Sequence, residues 1–202
     1  MTTEQATAPA TAMHHGGILV PGAIVTPAGV RYALVVAPKA LGETEGKWST
    51  GRSKLIEGAG SYWDGLANTN AMAEAGSKLA KWARALEING HSDWYLPSRD
   101  ELELLYRYLK PTARENYCYF RSGDNPSSAP AGYPYTAQAP AQTASEEFRA
   151  GGAEAFEPVW HWSSTQYSAD GAWSQGFDYG NQNGYDEGYE ARARAVRRFL
   201  LA

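Results

Sequence analysis

Few side chains in this sequence are spaced for catalysis or metal binding. Its four histidines are His14, His15, His91 and His161. No two of them stand as a pair at the helical or hairpin spacing of a zinc site. A lone histidine is more often a hydrogen-bonded structural residue than a ligand. Cys118 is the single cysteine, so neither an intramolecular disulfide nor a thiolate cage can form. No Gly-rich phosphate loop, nucleophile elbow or zinc-protease motif occurs. The carboxylates Asp178, Asp186, Glu187 and Glu190 could converge on calcium through oxygen ligands, or could form a solvated loop face; they follow no EF-hand pattern. A glycosidase needs two carboxylates at a set separation in space, and nothing in the spacing points to such a pair. The expectation is a non-enzymatic protein without a required cofactor, calcium being the one cation for which oxygen ligands are at hand.

The segment from Tyr167 to Tyr189 carries the most chemical information. It is mostly Tyr, Asn, Asp, Ser and Gly, and it contains neither Lys nor Arg. Antibody combining loops use the same palette: Tyr supplies contact area with few rotors, while Ser, Gly and Asn adapt their hydrogen bonds. Gly-rich hairpin turns with Tyr packed on a sheet share this composition. The binding reading names Tyr167, Ser168, Asp170, Trp173, Ser174, Asp178, Tyr179, Asn181, Asn183, Tyr185, Asp186 and Tyr189 as ligand contacts. The rings would stack on the ligand and the polar groups would orient it. Tyr, Asp, Ser, Gly and His are all reached from an Asn codon by changing its adenines. Adenine-targeted diversification, as by a diversity-generating retroelement, would leave such a hypervariable segment.

These residues need a scaffold, and the flanking sequence supplies one. Ile18-Leu19-Val20 and Ala23-Ile24-Val25 flank Pro21-Gly22, and Arg31 to Val36 follows Pro27-Ala28-Gly29. Short β-branched runs between Pro/Gly pairs predict strands and a hairpin. Residues 42–65 show no period and are expected to be irregular. Met72, Ala75, Leu79, Trp82, Ala83 and Leu86 recur at three- and four-residue intervals, predicting one amphipathic helix capped by Asn68 or Asn70 and stopped at Asn89-Gly90. Ser98 with Glu101 three residues later is a capping box for a second helix, whose Leu102, Leu105, Tyr106 and Leu109 face inward and which ends at Pro111. Residues 111–158 read as a long loop insertion with a short helical stretch at Glu146 to Arg149. Residues 160–200 hold the proposed variable region and a closing strand. The order of elements gives an α+β class.

Composition narrows the partners. Seven Trp and thirteen Tyr stand against five Phe, a bias toward side chains with an apolar body and a polar tip. The net charge of −4 offers no basic field for nucleic acid, and Arg192, Arg194, Arg197 and Arg198 are read as structural. No apolar run approaches the roughly 18 residues of a membrane span. Residues 1–15 are expected to be a flexible or partner-docked arm, with 16–202 the folded domain. Residues 1–13 lack the basic and apolar regions of a secretory signal, so synthesis and folding in a reducing cytoplasm are expected.

Several motifs occur in a fixed order: Gly16-Gly17-Ile18, Leu34-Val35-Val36-Ala37-Pro38, Asn68-Thr69, Gly90 with Asp93-Trp94-Tyr95-Leu96-Pro97-Ser98-Arg99-Asp100-Glu101-Leu102, Trp162-Ser163-Ser164-Thr165, and Arg192-Ala193-Arg194-Ala195-Val196-Arg197. Together they resemble the C-terminal domain of Legionella collagen-like adhesins over most of residues 16 to 200. The resemblance implies a C-type-lectin-like fold, with two helices packed on a small antiparallel sheet and long irregular loops. The sequence is similar in kind to the phage major tropism determinants, whose variable C-terminal region chooses a bacterial receptor. Tyr167 to Tyr189 falls where that region would lie, with the Trp162 and Arg197 motifs as scaffold. Asp124-Asn125-Pro126 lacks the residue order of the calcium triplets of sugar-binding lectins, and the active-site cysteines of the formylglycine-generating branch are missing.

The resemblance therefore implies a phage tail-tip or tail-fibre receptor-binding protein located on the virion. Its partners would be a bacterial cell-surface receptor (glycan or protein), other virion tail proteins and, as a homotrimer, further copies of itself. The other readings are a baseplate assembly protein contacting another viral subunit and a bacterial surface-displayed adhesin.

Overall fold

A computed structural model describes residues 13–49, 53–119 and 122–202. Of the expected N-terminal arm, residues 1–12 lie outside the described residues. Met13–His14 is not part of a free arm: it forms strand β1 and pairs with Ile18 and Gly17 of β2 (Gly17–Leu19). The β-branched runs form β3 (Ala23–Val25) and β4 (Arg31–Val36), as their alternation with Pro/Gly pairs predicts. Gly22 makes the turn between β2 and β3 at φ 84°, a left-handed conformation that glycine adopts without strain.

A short helix, α1 (Lys39–Gly42), leads into the stretch expected to be irregular, which opens with a strand, β5 (Glu43–Lys47). β5 reads Glu-Thr-Glu-Gly-Lys, with no apolar alternation to betray it. Backbone pairing to a neighbour makes it a strand.

The expected single helix over Met72 to Leu86 is two helices, α2 (Gly65–Glu74) and α3 (Lys78–Arg84). Gly76 at φ 104° breaks the run, and Ser77 caps the new start by accepting the amide of Ala80. Asp64, not Asn68 or Asn70, caps α2. Asn68 is instead buried and clamps Ser61, accepting its N–H and donating to its carbonyl at 2.6 Å. Asn89 and Gly90 do take left-handed conformations, but in the turn that follows α3 rather than at its end. The capping box forms at the start of α4 (Arg99–Leu109), with both reciprocal hydrogen bonds between Ser98 and Glu101.

Beyond α4 come β6 (Ser128–Ala129), a 3-10 turn at Glu146–Phe148, and then β7 (Trp160–Ser168), β8 (Gly171–Gly176), β9 (Gln182–Asp186), β10 (Glu190–Arg194) and β11 (Val196–Leu200). The strands make two sheets rather than the one small sheet expected. In the first, β4 is central, pairing β2 and β3 along one edge and β11 along the other; β1 and β6 extend it. The second runs β5-β10-β7-β8-β9 and includes one parallel pairing, Arg192 with His161, among otherwise antiparallel ones. The class is α+β.

Leu102, Leu105, Tyr106 and Leu109 of α4 enter the main core with Ile24, Leu34 and Val36. Apart from β6 and the 3-10 turn, the described residues of 111–158 are mostly loop, yet core in content, because Tyr135, Phe148 and Phe156 pack in the same cluster. Two buried polar anchors hold this loop to α4. Lys110 Nζ donates to the carbonyl of Arg114, the amide oxygen of Asn116 and the carbonyl of Pro140, at 2.6, 2.8 and 3.2 Å. Glu103 accepts from Arg107, from Tyr135 at 2.8 Å and from Asn125 at 2.7 Å. Buried charges survive only when paired in this way.

The four C-terminal arginines are structural. Arg194 is buried, donates to Ala37 O and pairs with Glu154; Arg197, Arg198 and Arg192 pair with Asp93, Asp64 and Glu45. Among the described residues no helix is long and apolar enough to cross a membrane.

Candidate functional site

The Trp162-Ser163-Ser164-Thr165 run bridges β7 to its surroundings. Trp162 is fully buried and its indole N–H reaches the carbonyl of Gly46 on β5 at 2.9 Å, passing the small residues of β10. Ser164 N–H donates to Pro97 O, and the hydroxyl of Thr165 accepts the amide of Arg99 at 2.9 Å. This last bond fixes the first residue of α4 against the sheet. Asp100 N–H donates to Tyr62 O, which ties the residue 62 loop to the same point.

At that junction lies a groove of about 590 Å³, lined by Tyr62, Arg99, Tyr119, Ser122, Asp124, Pro126, Tyr167, Trp173, Gln182 and Asn183. Arg99 is its floor. The guanidinium stands 5.3 Å from the ring centre of Tyr62 and 5.0 Å from that of Trp173, a double cation–π contact. It also pairs with Asp100 at 2.8 Å and donates to Asp124 O. Tyr62 and Tyr167 each meet Trp173 edge-on, with ring centres 6.0 and 4.9 Å apart. Tyr62, Tyr119 and Tyr167 are exposed at 45%, 48% and 59%, so the groove is walled by accessible rings rather than sealed into the core. Tyr119 stacks on Tyr117 with the planes only 10° apart, and Tyr117 N–H bonds Tyr179 O.

Three polar atoms of lining residues are buried without a hydrogen-bond partner: Arg99 Nε, Trp173 Nε1 and Gln182 Oε1. Two are donors and one is an acceptor.

The groove sorts the twelve contacts expected from sequence. Tyr167, Trp173 and Asn183 line it. Tyr179 sits one aromatic pair away, its ring 5.4 Å from the Arg114 guanidinium. Tyr185 belongs elsewhere, stacked on Trp160 with centres 5.7 Å apart and tilted against Tyr189. Several polar members shape turns. Asp178 accepts the amide of Tyr179, Asp186 accepts that of Gly188, and Ser168 accepts that of Asp170. Asn181 O accepts Gly176 N–H across the β8–β9 turn, and Ser174 is buried with its hydroxyl on Asn183 O. Asp178, Asp186, Glu187 and Glu190 do not gather; no group of three His, Cys, Asp or Glu side chains able to hold a metal ion occurs among the described residues. Two other grooves, of about 540 and 420 Å³, flank β5 and α2, and none of the twelve residues lines them.

Tyr62, Arg99, Tyr119, Ser122, Asp124, Pro126 and Gln182 escape sequence reasoning as site residues. They come from four separate segments that only the fold unites. The one available signal is the exposed tyrosine density at Tyr117 and Tyr119, inside a stretch read as an insertion.

A family model described as the Lcl C-terminal domain matches residues 44–197. The chain belongs to this family. The match spans every residue of the groove and both structural motifs that position Arg99. Membership in the Lcl C-terminal domain family carries an adhesin-like, surface-binding role. No curated protein matches the chain.

Proposed function

We propose that this Lcl C-terminal domain is a receptor-binding protein of a phage tail tip or fibre, with a C-type-lectin-like scaffold presenting the groove to a bacterial surface receptor. The observation that carries the reading is the meeting of Tyr167, Trp173 and Asn183 with Arg99, Tyr62 and Tyr119 in one open, ring-walled groove. Three of these residues come from the Tyr/Asn/Ser/Gly segment whose composition matches a diversified combining surface. The other three come from the scaffold and would stay constant while the segment varies. The protein binds without catalysis and without a cofactor, and works with other tail proteins. Copies on one particle, as a homotrimer or in larger number, raise weak single-site affinity to firm attachment.

The family match also favours a second reading, a surface-displayed bacterial adhesin using the same groove. Where the chain is found separates the two: it co-purifies with virions in the first case and with cell envelopes in the second.

The test is attachment of the multivalently displayed chain to intact candidate host cells, compared with a Tyr167→Ala/Trp173→Ala double variant. Loss of attachment with the fold preserved supports the site. Equal attachment by both forms removes it, and no attachment by either favours a role in contacting another viral subunit.

A further inference from the structure

We infer that the groove takes an uncharged saccharide, an assignment that rests on its being the ligand site. Charge is the first argument. Apart from the tyrosines, its lining among the described residues holds two ionisable side chains of opposite sign, Arg99 and Asp124. The charge of Arg99 is already matched by Asp100 at 2.8 Å.

A helix start often supplies a positive field for an anion, and α4 begins beside the groove. Its first amides are consumed internally: Arg99 N–H by Thr165 Oγ1, Asp100 N–H by Tyr62 O, and Glu101 N–H by Ser98 Oγ. Among the described residues an anionic ligand therefore finds no free positive group to repay its lost hydration. A cationic ligand would meet the Arg99 guanidinium on the floor.

The polar atoms give the second argument. Arg99 and Gln182 are more than nine-tenths buried, and Arg99 Nε, Trp173 Nε1 and Gln182 Oε1 lack partners. Hydroxyl groups donate and accept at once, so a sugar edge, directly or through a bridging water, satisfies both donors and the acceptor. A carboxylate or sulfate only accepts and would leave Gln182 Oε1 unmatched. The walls give the third argument, since the exposed rings of Tyr119 and Tyr167 suit the flat C–H faces of a pyranose.

The experiment places the displayed full chain on an array of neutral hexose and N-acetylhexosamine oligosaccharides beside carboxylated and sulfated counterparts. The best binder is then measured by calorimetry at low and high salt. Expected are neutral binders whose affinity changes less than about twofold between about 0.05 and 0.5 M salt, because no net charge is neutralised. Tyr119→Ala should weaken that binding about tenfold. Trp173→Phe, which keeps a ring and removes the indole N–H, should weaken it about fivefold. Near-ultraviolet circular dichroism checks that both variants fold.

Binding confined to charged sugars and falling with salt overturns the inference, as does neutral binding that neither variant weakens. Attachment to host cells together with silence on all saccharides overturns it too, while leaving receptor recognition standing; loss of cell attachment as well removes both.

Discussion

The ring of Tyr167 lies directly over Gly184. A Cβ added at residue 184 would stand 2.6 Å from Tyr167 Cδ1 and 2.9 Å from its Cγ and Cε1. The groove wall thus depends on a missing side chain on β9, two strands away from β7, and an aromatic ring covers the bare backbone. Gly184→Ala should swing the Tyr167 ring off β9 and weaken ligand or cell binding about tenfold. Stability should move by no more than about 0.5 kcal/mol, because Tyr167 is exposed. Binding and thermal melts on the same preparation check this; unchanged binding would mean that the position of Tyr167 is irrelevant.

Gly65 tests packing where nothing can yield. A Cβ there would lie 2.2 Å from Glu101 Oε2 and 2.6 Å from both Leu96 O and Ser98 N. Two of these are backbone atoms, and the third belongs to the capping box. Gly65→Ala should cost about 3 kcal/mol in urea unfolding. Gly60→Ala, with open space around the new methyl, is the control and should be close to neutral.

Glu103 and Arg107 form a buried i,i+4 pair. Glu103→Leu strands the guanidinium and the hydroxyl of Tyr135 without their acceptor, at a cost of about 3–5 kcal/mol. The double change Glu103→Leu/Arg107→Leu removes the orphaned charge and should recover part of that loss. A double variant no more stable than Glu103→Leu would mean that Arg107 gains nothing from the pairing.

His161 makes an acid-sensitive joint. Burial among Phe156 and Phe177 pushes its pKa from 6.5 down to about 3, and its Nδ1 faces Val159 O at 3.0 Å. The unfolded chain takes up a proton near pH 6.5, whereas the folded chain does not until about pH 3. Stability from this residue is therefore complete above pH 6.5 and falls as pH drops toward 3. The buried carboxyls of Glu43, Asp100 and Glu101, raised by burial, act in the opposite sense, losing stability as pH rises through their folded pKa values. The difference between the parent and His161→Phe isolates the histidine. Between pH 6 and 4 the parent should lose up to about 1.4 kcal/mol per pH unit relative to the variant. Parallel pH profiles in urea melts would contradict it.

Local signals were legible wherever one short segment decides its own conformation. Ser98 and Glu101 sit at capping-box spacing and close both bonds. Pro21-Gly22 and Pro27-Ala28-Gly29 separate the strands they were expected to separate. The stripe from Met72 to Leu86 misleads because Ala75 and Gly76 keep its period while Gly76 ends the helix; Gly76-Ser77 held the missed stop-and-cap signal. β5 was illegible because its stability lies in a partner strand far along the chain. The groove was half legible. Tyr167, Trp173 and Asn183 announce themselves by composition, but Tyr62, Arg99 and Tyr119 become neighbours only through Thr165 and the loop anchored by Lys110 and Asn125. Asp178 and Asp186 show the cost of reading composition alone, since their carboxylates are spent on turns.

The pairing of β11 with β4, from Val196 opposite Val36 to Leu200 opposite Tyr32, governs how the molecule can be made. A ribosome extrudes β4 long before β11, so a nascent chain carries that hydrophobic strand with one edge bare until β11 emerges. Arg194 repeats the delay, since the carbonyls of Ala37 and Glu154 wait for its guanidinium. β11, the last strand described, thus acts as the latch of the whole domain. A chain truncated before Val196 should be chaperone-bound or degraded, however intact its groove residues are.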